Sequence, residues 1–296
     1  MGKRLFSWVD VNGTEWPLNG ETNYQVIIGP VGMYGMPINI VTQEVPLQPG
    51  TLEKYVQLLP GLVKLPILVY ASDEPTLDFV RRQLKWAMSP ARGVGKLRHT
   101  ANDGTVRELN CRVQKGFEGD ETAGNRGLGA VILNLEFFAA DPFWYDTDFQ
   151  QIPFATGSTV TFLGPSPFIP ILLSSVGAVG TGSVENDGDA LAWPIWTLQG
   201  PATSLNLTDT TTGDVLSLPS TQMASITMGQ EIVIDTSPQF GKTITREDGS
   251  RHFGYMDPTS ILWGLAVGTN AVSVAVGGSG ASTLLTLQFK RRYEGV

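Results

Sequence analysis

The chain has 296 residues, 42% of them hydrophobic, enough apolar material for a folded core and against disorder. Its formal net charge is −8, with 14 basic and 17 acidic side chains in residues 1–150 and 6 and 11 in the remainder. Neither half therefore has the broad cationic field that nucleic-acid backbones demand. Only 16% of residues are charged, against roughly 25% in average globular chains, and with 34 Gly and 19 Pro this suits a protein in steady contact with other subunits. No apolar run reaches the ~18 residues of a membrane span, and residues 1–10 hold no signal-peptide stretch. No membrane insertion is expected, and folding in a cytoplasm is.

In chain order, residues 28–38 (IGPVGMYGMPI) are apolar but too broken by Gly and Pro for a core strand. They read as an arm laid on an adjacent subunit, with Val31, Met33, Tyr34 and Met36 as subunit-interface candidates. Gly29, Gly32 and Gly35 precede strand rather than helix, so they form no phosphate cradle. Residues 37–45, 64–70 and 128–138 are strands by their Ile, Val, Leu and Phe content. Ser72, Asp73, Glu74 and Pro75 supply helix-start chemistry. Leu77, Val80, Leu84 and Ala87 follow at helical spacing, so a helix is expected over 73–88. Residues 96–114 read as a hairpin turning at Asn102, Asp103 and Gly104.

Residues 149–184 carry no charged side chain and read as a crossover near 147–153 followed by the first strands of a second domain. From Trp193 onward seven short strands are expected, at 193–198, 204–208, 215–218, 230–235, 242–246, 271–276 and 283–290. Such spacing marks a β-sandwich. The chain is thus expected to be mainly β, with a β-rich domain bearing one helix at 1–148 and a sandwich at 149–296.

Sites for chemistry are scarce. The two histidines, His99 and His252, lie in the hairpin arm and in a loop, and no serine sits in a G-x-S-x-G setting. Asp187 and Asp189 flank Gly188, which reads as a turn; the spacing and distal Glu of a calcium loop are missing. Cys111, the single cysteine, reads as a buried core thiol and has no Cys/His cluster around it for zinc. No catalytic, cofactor-binding or metal-binding residue is nominated, and no enzyme activity is expected. The aromatics Phe137, Phe138, Phe143, Trp144, Tyr145, Trp193, Trp196 and Trp263 read as packing, with a sugar-stacking platform as the alternative.

Four runs carry a resemblance. Residues 137–145 (FFAADPFWY) resemble the F-x-A-x-D-P-x-[YW]-Y close of the N-terminal domain in siphophage distal tail proteins. Residues 184–194 (VENDGDALAWP) resemble the N-x-G-D opening of their second domain. Residues 229–236 (GQEIVIDT) resemble their G-x-x-[IL]-x-I-D-T strand, and residues 262–270 (LWGLAVGTN) their L-x-x-G-x-N turn. Ala266, Val267 and Gly268 depart from the pattern, in which a Pro often precedes the Gly. The resemblance implies a homo-hexameric N-terminal ring with an outward galectin-like sandwich. It implies a hub role at the phage tail tip, joining the tail-tube and tape-measure proteins to the tip and receptor-binding proteins. DNA is then expected to pass through the ring unbound, and the protein to reside in the virion after assembly in the host cytoplasm. A carbohydrate-binding sandwich and a tail-tube subunit are the alternative readings.

Overall fold

The structure, a computed structural model, describes residues 5–118, 126–156, 171–173, 178–238 and 241–296, except positions 21, 28, 48, 128 and 281. Contacts divide the chain into two compact units, Met1–Thr147 with Tyr293–Val296, and Asp148–Arg292.

The first unit contains β1 (Leu5–Val9), β2 (Glu15–Pro17), β3 (Tyr24–Val26), β4 (Ile38–Glu44), β5 (Thr51–Leu58) and β6 (Gly61–Tyr70). Then come α1 (Glu74–Ala87), β7 (Gly95–Thr100), β8 (Val106–Lys115), β9 (Arg126–Gly127), β10 (Ala130–Ala139) and β11 (Trp144–Asp146). Its main sheet runs β2-β1-β7-β8-β10-β6-β3, with β11 on β8 and β9 on β10. Alternation in β6 and β10 sets the core. Their ten-residue antiparallel register places Val63 opposite Phe137, Leu65 opposite Leu135 and Ile67 opposite Leu133, all buried, because side chains two apart share a face.

Helix α1 begins at the expected place. Asp73 caps it by accepting the Thr76 amide at 2.8 Å, and that bond, with the Thr76 hydroxyl, holds the Asp73 carboxyl below its ordinary pKa. Leu77, Val80, Leu84 and Ala87 are buried and face the sheet, where the Tyr24 hydroxyl donates to Val80 O at 3.1 Å and Trp8 Nε1 donates to Ala87 O at 3.0 Å. Gly95 has no Cβ because the Trp8 ring fills that space.

The last four residues contact the first unit, whereas the sequence places them with the sandwich. Tyr293 and Val296 pack on the first unit's core. The Val296 amide donates to Met33 O at 3.1 Å, and Arg107 donates to Gly295 O while its guanidinium lies 3.7 Å over the Tyr293 ring. These are contacts at long sequence separation, which local patterning does not reveal.

The second unit contains β12 (Gln150–Thr156), β13 (Ile171–Leu173), β14 (Ala178–Asn186), β15 (Ile195–Gln199) and β16 (Ser204–Asp209). It continues with β17 (Val215–Leu218), β18 (Glu231–Asp235), β19 (Thr243–Arg246), β20 (Gly268–Gly277) and β21 (Leu284–Phe289). Sheets β13-β12-β21-β15-β18-β19 and β14-β20-β16-β17 enclose one core, with Trp196, Ile234 and Leu287 from the first meeting Leu207, Val274 and Val276 from the second. The seven strands expected from Trp193 onward are β15 to β21. The expected crossover at 147–153 lies within the described residues, whereas positions 157–170 and 174–177 of the charge-free segment lie outside them.

Two buried asparagines lock the sandwich corner. Asn186 donates to Ala190 O at 3.0 Å and Leu265 O at 3.1 Å and accepts the Gly188 amide. Asn270 accepts the Ala266 amide and donates to Ala266 O, both at 2.8 Å, and to Gly268 O at 2.9 Å. Removing a partner from buried polar groups costs about 1 to 3 kcal/mol. Asn270→Ala is therefore expected to lower the unfolding free energy by about 2 to 3 kcal/mol in denaturant titration; an unchanged midpoint contradicts the lock. Deleting residues 293–296 is expected to lower the first unit's stability by ~2 kcal/mol, from lost apolar burial, while the sandwich transition stays in place.

Candidate subunit interface

Strands β4 and β5 pair with each other antiparallel and with no other strand among the described residues. Ile38 faces Leu58, Ile40 faces Val56, Thr42 faces Glu53 and Glu44 faces Thr51, with a register shift between Val41 and Thr42 that leaves Lys54 extra. Alternation in β4 puts Ile38, Ile40, Thr42 and Glu44 on one face, and their partners share it. That face is aliphatic at its base and carries Glu53 and Glu44 toward the tip. Ile38, Ile40, Val56 and Leu58 are each about half exposed, between 47 and 54%. Leu47, at the turn, has φ 67° and is fully exposed. Two-stranded ribbons are marginal alone in water, and clustered exposed aliphatics mark interaction surfaces.

The four interface candidates from the sequence lie just before this ribbon and do not act as one patch. Val31 and Tyr34 are exposed and Met36 is half-buried, but Met33 is only 2% exposed and belongs to the core. Met33 is therefore corrected from surface to core residue: the segment bends inward there and receives Val296. The segment is also tied down, since Val31 exchanges both backbone hydrogen bonds with Lys64 at 3.0 and 2.9 Å. A Cβ at Gly32 would collide with the Leu62 carbonyl. The projecting arm thus begins at Ile38. Its signal was present in the sequence, as two strand-like runs around Pro49 and Gly50 with polar residues on both phases.

Helix α1 presents a second exposed patch on the side away from the core. Phe79, Arg82, Gln83 and Trp86 recur at helical spacing and, with Trp16 of β2, line a surface cleft of about 430 Å³. Phe79 and Trp86 are 54 and 56% exposed. The Trp16 and Trp86 rings meet edge-on at 6.5 Å, and the Arg92 guanidinium stacks 3.7 Å over Trp86. Between residues 81 and 92 the chain carries Arg81, Arg82, Lys85 and Arg92 and no carboxylate.

Chemistry-bearing residues fall elsewhere and do not converge. His99 is buried against Phe6, rings 4.9 Å apart. His252 stacks on Tyr255 at 4.5 Å, and its Nε2 lies 2.6 Å from the Ser250 hydroxyl. Asp248 accepts from that same hydroxyl, so the carboxylate meets the serine instead of orienting the imidazole, the reverse of triad logic. Asp187 is ion-paired with Arg291 at 2.7 Å. No group of three or more His, Cys, Asp or Glu side chains is placed to hold a metal among the described residues. Phe137, Phe143, Trp144, Trp196 and Trp263 are buried, the last two edge-on at 5.8 Å, so these rings pack cores and offer sugars no face. No helix among the described residues is long and apolar enough to cross a membrane.

The runs that carry the resemblance are scaffold. Asp141 accepts from the Tyr145 hydroxyl where the chain turns from β10 onto β8. Asn186 and Asn270 form the lock already described. Asp235 accepts the Ser237 amide at 2.8 Å, and the Thr236 hydroxyl donates to Pro194 O at 2.8 Å.

A strand-rich unit with one helix among its described residues, joined to a two-sheet sandwich, is the fold of phage distal tail and baseplate hub proteins. The chain matches the crystal structure of SPP1 Dit, described as a paradigm of hub adsorption apparatus in phages infecting Gram-positive hosts. The TM-score is 0.66 and the identity 15%, over 97% of this chain and 98% of that one. It also matches a chain of the phage P2 baseplate in its activated conformation with Ca, at TM-score 0.59 and 9% identity over 99% and 100% of the two chains. With Sr the corresponding values are 0.55, 11%, 100% and 100%. No protein-family model matches the chain, and no curated protein matches it significantly.

Burial pushes the Cys111 thiol up to about 12, against an ordinary value of 9.0. Thiolate is the reactive form, so Cys111 is expected to resist a chromogenic thiol reagent at pH 8 until denaturant is added. Prompt reaction of the folded protein contradicts the burial. The raised value also means that stability is intact below pH 9 and falls as the unfolded thiol ionises between 9 and 12.

Proposed function

We propose that this chain is a non-enzymatic structural subunit of a long-tailed phage's tail tip. In this reading it is a homo-hexameric hub between the tail tube with its tape-measure protein and the tip and receptor-binding proteins. Residues 1–147 with 293–296 form the ring and residues 148–292 the galectin-like sandwich. The observation that carries the reading is the match to SPP1 Dit along 97% of the chain, which spans both units. The exposed β4–β5 ribbon supports it, because an aliphatic ribbon left in water needs a neighbour. Val31 and Tyr34 extend that contact. The protein then belongs to the virion, assembles in the host cytoplasm without a cofactor, and lets DNA pass without specific binding; the acidic balance of the chain agrees.

End-on electron micrographs of the protein assembled with its tail-tube or tip partner are expected to show sixfold rings. Ile40→Asp, on an exposed face, is expected to change the unfolding free energy by no more than about 0.5 kcal/mol and to abolish those rings. Threefold or twelvefold particles, or rings held together by the isolated sandwich, contradict the proposal.

A further inference from the structure

We infer that the cleft between α1 and β2 is a binding site for an acidic saccharide, a ring sugar carrying a carboxylate or a phosphate. The inference is independent of the hub reading, because it concerns a single copy of the chain. The cleft, about 430 Å³, is lined by Trp16, Phe79, Arg82, Gln83 and Trp86 and falls within the size range of small-molecule sites. Phe79, Arg82, Gln83 and Trp86 share a side of α1, since residues three and four apart lie together, and it points away from the buried Leu77, Val80, Leu84 and Ala87. Trp16 joins them through the sheet. It stands opposite Trp8 in the β1–β2 register, and Trp8 is bonded to the last turn of α1 at Ala87 O. Arg92 stacks 3.7 Å over Trp86 but does not line the cleft, so it braces that ring without filling the site. The rings are therefore held in place before any ligand arrives.

The lining selects the ligand. No aliphatic side chain lines the cleft, as it would in a groove built for an amphipathic helix. Every wall is an aromatic ring or a planar polar group. The C–H bonds of a pyranose face carry slight positive charge and pack on the negative faces of aromatic rings. The Gln83 amide and the Arg82 guanidinium suit the hydroxyls around the sugar's edge. Charge narrows the class further. Arg82 commits only its Nε, to Asp78 O at 3.2 Å, and neither Arg82 nor Lys85 is ion-paired among the described residues. Two unpaired cations beside one aromatic cleft, in a chain of net charge −8, favour a ligand that brings negative charge. Single-stranded nucleic acid uses the same groups, but along a continuous basic groove that tracks the backbone; here the cations gather at a single cleft of an acidic chain.

Titration calorimetry on the full-length protein tests the site. The probes are a galacturonate trisaccharide with its uncharged methyl ester, and a phosphorylated mannose trisaccharide with its dephosphorylated form. A charged saccharide is expected to bind with a millimolar or lower Kd, and its uncharged counterpart roughly fivefold more weakly. Which charged probe binds separates carboxylate from phosphate as the source of the charge. Trp86→Ala, at an exposed position, is expected to weaken binding roughly tenfold with the unfolding midpoint unchanged. Arg82→Gln is expected to bring the charged and uncharged forms within about twofold of each other. Equal binding of charged and uncharged forms by the unsubstituted protein overturns the acidic class. Undiminished binding by Trp86→Ala places the sugar elsewhere and overturns the site. Tighter binding of a thymidine oligonucleotide or a Glu-rich peptide, lost in Trp86→Ala, gives the cleft another occupant and overturns it too. Failure of both charged saccharides to bind at millimolar concentration overturns it outright. The hub reading is decided separately, by end-on imaging of assembled rings.

Discussion

A β-ribbon of two strands has two faces and no interior, and that constraint governs how this protein can be used. The sandwich strands bury one face between two sheets, and β6 and β10 bury theirs under α1 and the surrounding strands. The ribbon of β4 and β5 has neither a third strand nor a covering helix among the described residues, yet it carries four aliphatics on one face. Among the described residues its backbone edges pair with no further strand, the condition that sheet proteins ordinarily avoid or use for partnering. The ribbon is intelligible as half of a contact.

The rest of the chain supplies a stiff platform for that half. The register of β6 with β10 builds the core of the first unit, and the Asp73 cap with the Trp8 and Tyr24 bonds fixes α1 on it. The returning tail, Tyr293–Val296, closes the same core at Met33. Docking Met33 inward also ties the segment before the ribbon to β6, so the ribbon leaves from an anchored base at Ile38.

Much of this was legible in the residues because it is local. Helix α1 declared itself through Asp73, Pro75 and the Leu77, Val80, Leu84 spacing, and the seven strands of the sandwich through alternation and turn glycines. The exposed surface of the first unit was only half legible. Val31 and Tyr34 are exposed but Met33 is core, because an apolar residue in a Gly-rich segment reads the same whether it faces solvent or a cavity filled by distant residues. The strand at 37–45 was recognised while its exposure was not, since exposure depends on a third strand being absent. The return of residues 293–296 rests on contacts with Arg107 and Met33, far away in sequence. The four resembling runs mark corners and buried polar locks, so they report the scaffold more faithfully than the exposed ribbon.

The central claim, that the ribbon is completed by a neighbour, is most directly tested by amide hydrogen exchange on full-length protein before and after assembly. Before assembly, amides of residues 38–58 are expected to exchange far faster than those of β6 and β10, because local opening follows the lack of packing. On assembly they are expected to become protected to the level of β6, while the sandwich strands keep their rates. Assembled particles in which residues 38–58 exchange as fast as in the free chain contradict the account.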